Sequence, residues 1–193
     1  MSTTISAEGL SARERLLAAA NELFYEEGIN SVGIDRIIER AGVAKATLYS
    51  TFGSKDELMR AYLARRHDSR RERYETKLQR FKTPREKLLG VFDIMGEFFA
   101  EPTFRGCPFV NASAETRSGD AVAEVVGEAR SWVRGMFADL ARDAGVRKPD
   151  ALAQQLQLLY DGATVGAELD HTVKTAATAK RVAEALLDLA LGA

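Results

Sequence analysis

Apolar residues recur along this chain at three- and four-residue intervals, the spacing that lines one face of an α-helix. Alternating stretches rich in β-branched residues are missing, so the sequence predicts an all-α fold without strands. Leu16, Ala20, Leu23 and Phe24 predict a first helix over residues 11–27, stopped by Gly28. Ile34, Ile37, Ile38 and Ala41 predict a second that opens near Gly33 and breaks at Gly42. A short third helix is expected over 44–52. A fourth opens at Ser54 and runs to about Phe81. Ser54 and Glu57 form a capping box there, in which side chains and backbone amides at a helix start satisfy one another.

Thr83 and Glu86 repeat that box with Pro84 at the first helical position, the start of a fifth helix carrying Leu88, Leu89, Phe92, Met95, Phe98 and Phe99. Pro102, Gly106 and Pro108 mark a break. A short helix over 109–117 and a loop at Ser118-Gly119 follow. A long helix is expected over 120–144, with Val122, Val125, Val126, Trp132, Val133, Met136, Phe137 and Leu140 inward and Gly145 as its end. Two more are expected over 149–171 and 176–191. No repeat or low-complexity tract interrupts the pattern.

The net charge of −1 hides an asymmetry: residues 1–82 carry +3 and the remainder −4. A phosphate-bearing partner for the N-terminal part fits that split. The excess of basic residues over 60–82 reads as a solvated helix face beyond Arg66. Residues 1–9 lack the basic start and apolar run of a signal peptide, and no stretch is apolar enough to span a membrane. Cys107 is the single cysteine, so no internal disulfide can form and a reducing cytoplasm is expected. With Arg105 the one cation fixed nearby, Cys107 is expected to be a passive thiol. His67 and His171 match no metal-ligand spacing. With no nucleophile–base pair and no glycine-rich phosphate loop, neither an enzyme, a cofactor nor a metal is expected.

Within residues 33–51, two predicted helices flank the turn Arg40-Ala41-Gly42-Val43. This is the layout of a helix-turn-helix, whose second helix enters the DNA major groove. Ile37, Ile38, Val43, Leu48 and Phe52 are spaced to lock the pair together, and Lys45, Ala46, Tyr49 and Ser50 are left on the outer face. No acidic residue occurs between Glu39 and Asp56 to repel phosphate. Lys55 falls in the first turn of the fourth helix, where the helix dipole disfavours a cation unless a phosphate joins it. Apolar spacing alone would favour two helices that merely pack.

The string Gly42-Val43-Ala44-Lys45-Ala46-Thr47-Leu48-Tyr49-Ser50-Thr51-Phe52-Gly53-Ser54-Lys55-Asp56-Glu57-Leu58, with Glu27-Gly28 upstream, closely resembles the tetracycline-repressor (TetR) family over residues 11–60. The resemblance implies a nine-helix homodimer with three DNA-binding helices and a divergent ligand-binding core. It implies phosphate contacts for Thr47, Tyr49 and Lys55, and base contacts for Lys45, Ala46 and Ser50. Gly33 and Ala44 depart from the family's hydroxyl-bearing caps, and the alanine should cost about 0.5–2 kcal/mol of local stability.

The resulting expectation is a helix-turn-helix domain over 1–56 and a ligand-binding, dimerising body over 57–193. Its candidate ligand residues are Phe92, Met95, Phe99, Phe109, Asn111, Trp132, Met136 and Tyr160, with Glu115 and Gln157 as further polar groups. Most of a methionine and aromatic set at helical spacing is expected to be plain core. Gly162 and Gly166, with Leu152, Leu156 and Leu159, suggest a close helix approach. With the stripe Val182, Ala183, Leu186 and Ala190, they suggest a four-helix dimer interface, as the resemblance also implies. The function expected is a repressor released from a near-palindromic operator by a small, largely apolar effector. The competing class is a helical small-molecule or lipid carrier.

Overall fold

A computed structural model describes residues 9–115 and 120–192, and among these it contains nine helices and no strand. In chain order they are α1 (Ala12–Glu27), α2 (Ile34–Ala41), α3 (Lys45–Phe52), α4 (Lys55–Leu78), α5 (Pro84–Phe99), α6 (Pro108–Glu115), α7 (Asp120–Asp143), α8 (Pro149–Leu169) and α9 (Lys174–Leu191). The chain forms two compact units. One takes Met1–Arg66 with Pro108–Val126, the other His67–Cys107 with Gly127–Ala193. Both α4 and α7 contribute residues to each unit. Arg117 and the loop expected at Ser118-Gly119 lie outside the described residues.

In the first unit, α1 begins with a capping box between Ser11 and Glu14. Leu16, Ala20, Phe24, Val32, Ile37, Leu48, Leu58, Tyr62 and Leu63 form a buried core, with Phe24 and Tyr62 meeting edge to face at 5.6 Å. Exposed ion pairs from Arg36 to Glu27 and from Arg40 to Glu22 tie α2 to α1. Gly42 stops α2 in the left-handed conformation (φ 62°), donating its amide to Glu39 and Ile38. A side chain would be strained there.

In the second unit, ion pairs fix the helix directions. Asp93 pairs with Lys180 at 2.7 Å while Arg85 pairs with Glu184 and Asp188, so α5 and α9 run antiparallel. Lys77 with Glu97 and Arg73 with Glu101 set α4 against α5 in the same sense. The Arg130–Asp161 ion pair and a hydrogen bond from Arg134 to Gln157 do so for α7 and α8. Tyr74, Leu88, Phe92, Ile94, Met95, Phe137, Leu156, Ala183 and Leu187 are buried between them.

Several expected helix ends moved. Past Leu78, α4 tightens into successive i→i−3 turns that carry the chain to Phe81. Helix α8 ends two residues early because His171 adopts φ 49°, and the Thr172 amide closes back on the Ala167 carbonyl. Helix α9 begins two residues early, its Lys174 amide donating to the Thr172 hydroxyl at 3.3 Å. The Ser54 hydroxyl accepts from the Glu57 amide as expected, but the Glu57 carboxylate is engaged by Arg60.

The box at Thr83 and Glu86 is complete. Backbone amides of Thr83 and Lys82 donate to the Glu86 carboxylate and hold it below the usual carboxylate range. A carboxylate lowered on folding stabilises above its unfolded pKa, and that contribution disappears as pH falls through the lowered folded value. Glu86→Ala should therefore lower the melting temperature at neutral pH, with the difference from wild type narrowing in acid. Thr83→Ala should cost about 0.5–2 kcal/mol. Melting curves across pH check both.

Candidate nucleic-acid interface

Helix α3 buries one residue, Leu48, which is fully inaccessible. With that single anchor, one face of the short helix turns outward. Lys45, Ala46, Tyr49 and Ser50 are all exposed and Thr47 is half-buried. Tyr49 stands 47% exposed, a large aromatic in water with its hydroxyl available. Arg13 lies over the Phe52 ring at 5.3 Å and holds the far end of α3 to α1.

The polar groups on this face differ in what already holds them. The Lys45 ammonium donates to Asp35 on α2 at 3.0 Å, and this bond holds its pKa above the usual lysine value. The pair is exposed on both sides, so a stronger acceptor can displace the carboxylate. Ser50 and Thr51 donate their hydroxyls to the Thr47 carbonyl, leaving the Ser50 oxygen able to accept. Gly33 and Ala44 begin α2 and α3 with no side-chain cap, so both helix starts keep amides facing outward.

Lys55 differs from the others. Its side chain turns inward, donating to the Ile29 carbonyl at 2.7 Å with the ammonium 5.8 Å from the Phe24 ring centroid. Burial lowers its pKa, partly opposed by Asp56 and Glu115.

The candidate ligand residues divide between the units. Phe109 and Asn111 lie on α6 in the first. Phe92, Met95, Phe99 and Tyr160 are buried in the core of the second, with Trp132 and Met136 partly buried against it. Glu115 and Gln157 already have structural partners. Glu115 binds Asn30, while Gln157 accepts from Arg134 and donates to the Arg130 carbonyl. Sequence reasoning passed over Tyr74, whose ring packs against Phe98, Trp132 and Tyr160. Its hydroxyl donates to that of Tyr160 at 3.4 Å, and burial pushes both phenols up. The available signal was an aromatic at an apolar helical position amid basic residues. Beside Phe99, the second unit has a recess of about 290 Å³, which Phe104, Arg105 and His171 also line.

The outer faces of α8 and α9 carry exposed apolar side chains. Leu158 (72% exposed), Val165 and Leu169 (73%) follow one face of α8, while Val182 and Leu189 (77%) lie seven residues apart on α9. Gly162, between Leu158 and Val165, faces open space, whereas Gly166 abuts Thr175. Ala183, expected on the outward stripe, is fully buried within the chain. The turn from Val182 to Ala183 rotates the latter toward α5 and α8. Among the described residues, no helix is long and apolar enough to cross a membrane, and no three acidic, histidine or cysteine side chains gather as metal ligands would.

A family model described as bacterial regulatory proteins, tetR family, matches residues 16–62. A solved TetR-family transcriptional regulator from Streptomyces coelicolor shares 32% identity at TM-score 0.85, covering 93% of this chain and 95% of its own. The transcriptional activator FasR of Mycolicibacterium smegmatis is 29% identical over 134 residues, 69% of this chain. The chain spans 61% of that activator's length. The transcriptional repressor NemR of Escherichia coli is 30% identical over 105 residues, 53% of each protein.

Proposed function

We propose that this chain, which belongs to the tetR family of bacterial regulatory proteins, DNA-binding transcriptional regulators as a class, works as a dimeric repressor that a small, largely apolar effector releases from a near-palindromic operator. The observation that carries the reading is the outer face of α3, where Lys45, Ala46, Tyr49 and Ser50 stand exposed on a helix anchored by Leu48. Such a helix fits the major groove. Lys45, Ala46 and Ser50 then meet base edges. Thr47, Tyr49 and, once turned outward, Lys55 meet phosphates. A carrier would need the apolar body but not this face.

One reading helix covers too few bases for specificity, so two copies bind two half-sites. The exposed apolar residues of α8 and α9 supply a self-complementary surface for that dimer. A dimer lying on duplex DNA excludes other proteins from it, which represses without any further contact. The aromatic and methionine side chains around Trp132, Met136 and Tyr160 supply the apolar surroundings in which the effector is held. The effector lowers DNA affinity by binding better to an arrangement in which the reading helices miss the groove spacing.

The experiment is selection of bound duplexes from random DNA, repeated with variants. Lys45→Ala should relax preference at one base position, by roughly tenfold. Tyr49→Phe should weaken binding to all sequences alike, because phosphate contacts carry no direct sequence information. An unchanged motif for Lys45→Ala with an altered one for Tyr49→Phe would reverse the assigned roles.

A further inference from the structure

Within the first unit, the last residue described in α6 grips the loop between α1 and α2. Glu115 lies 85 positions beyond Asn30 in sequence, yet its carboxylate accepts from the Asn30 amide at 2.8 Å. The Asn30 side-chain amide donates in return to the Glu115 carbonyl at 2.6 Å. Gly28 makes room for this. A Cβ built there would stand 3.0 Å from both Glu115 carboxylate oxygens, and the residue's φ of 88° disfavours a side chain anyway. Between these two residues lies Ile29, its side chain buried and its carbonyl accepting the Lys55 ammonium at 2.7 Å. The loop is thus held from one side by α6 and in turn holds a lysine at the start of α4.

We infer that Glu115 is a positioning residue of the DNA interface: by latching the α1–α2 loop through Asn30 it keeps the Ile29 carbonyl on Lys55, and opening the latch frees that lysine for a phosphate. The inference rests on the DNA-binding reading above and adds to it a control point. A partly desolvated ammonium held by a main-chain carbonyl exchanges it for phosphate, the stronger, charged acceptor, once that carbonyl can move away. That needs the loop to give way, and two of the contacts that hold it, beside the buried Ile29 side chain, end on one residue of α6. Helix α6 is joined in sequence to the second unit at Cys107 and, through the start of α7, at Gly127.

The test is a double-mutant cycle on the full chain, measuring affinity for a selected duplex as a function of potassium chloride concentration. Glu115→Ala should tighten binding at low salt by roughly tenfold, the scale of one hydrogen bond to a charged group. Lys55→Ala should then cost several-fold more affinity in the Glu115→Ala background than in wild type. Glu115→Gln keeps an oxygen facing the Asn30 amide but loses the charge that acts on Lys55, so its gain should stay well below that of Glu115→Ala; an equal gain would overturn the latch. If Glu115→Ala folds poorly, Asn30→Ala opens the other arm and should reproduce its effect. A Lys55→Ala cost equal in both backgrounds, or weaker binding by Glu115→Ala, would overturn the latch and leave Glu115 as a loop anchor. Wild type failing to bind duplex DNA at all would instead strike the DNA-binding reading itself.

Discussion

Leu48→Ala is expected to remove measurable operator binding while leaving the second unit folded. Leu48 is the one buried residue of α3, and every candidate contact on that helix depends on it. Truncating a fully buried leucine costs about 2–5 kcal/mol. The unit formed by residues 1–66 and 108–126 has a stability of roughly 4–13 kcal/mol by the usual per-residue scale. The substitution therefore removes a large share of what holds the reading helix to α1 and α2. Affinity for a selected duplex should fall at least about a hundredfold, since lost positioning affects every contact together. Amide hydrogen exchange should show α1 to α3 losing protection while α5, α8 and α9 keep theirs. Retained affinity would mean that α3 is not the reading element.

The second large effect is expected from the outer faces of α8 and α9. Leu158 and Leu189 are exposed in the single chain and pack against little of it, so replacing both with glutamate should hardly alter its own fold. In a two-fold dimer each substitution occurs twice. Burying one leucine contributes about 1.5–3 kcal/mol, and the change replaces that with carboxylates facing one another across the axis. The variant should be monomeric at micromolar concentration by light scattering, with unchanged helix content. Its affinity for a near-palindromic duplex should drop steeply, because only one half-site can then be held by each molecule. A dimer that survives both substitutions would place the interface elsewhere.

The helices were legible because their ends carry local chemistry. Gly28, Gly42 and Gly145 stop helices where expected, and Thr83 with Glu86 starts one. The outward face of α3 was legible for the same reason, since apolar spacing left Lys45, Ala46, Tyr49 and Ser50 with nowhere else to point. What stayed hidden depends on contacts distant in sequence. Nothing around Glu115 signals that its carboxylate closes on Asn30, and Lys55 gives no sign that it folds back onto Ile29. The end of α8 was misplaced because His171 takes a left-handed conformation that a sequence reader assigns to glycine. Of the ligand set, Phe92 and Met95 are deeply buried, and aromatic and methionine spacing is the same in a core as beside a ligand.

If this chain reads duplex DNA as a two-fold dimer, equilibrium binding must depend on both salt and sequence. Purified protein is titrated onto a duplex selected from random sequence and onto a scrambled control, from about 50 to 200 mM potassium chloride, with the mass of the complex measured by light scattering. Two chains per duplex and a near-palindromic selected sequence are expected. Log affinity should fall linearly with log salt, with a slope near −0.9 for each phosphate neutralised. Affinity that is independent of salt and equal for both duplexes, or a single chain bound per site, would contradict that reading.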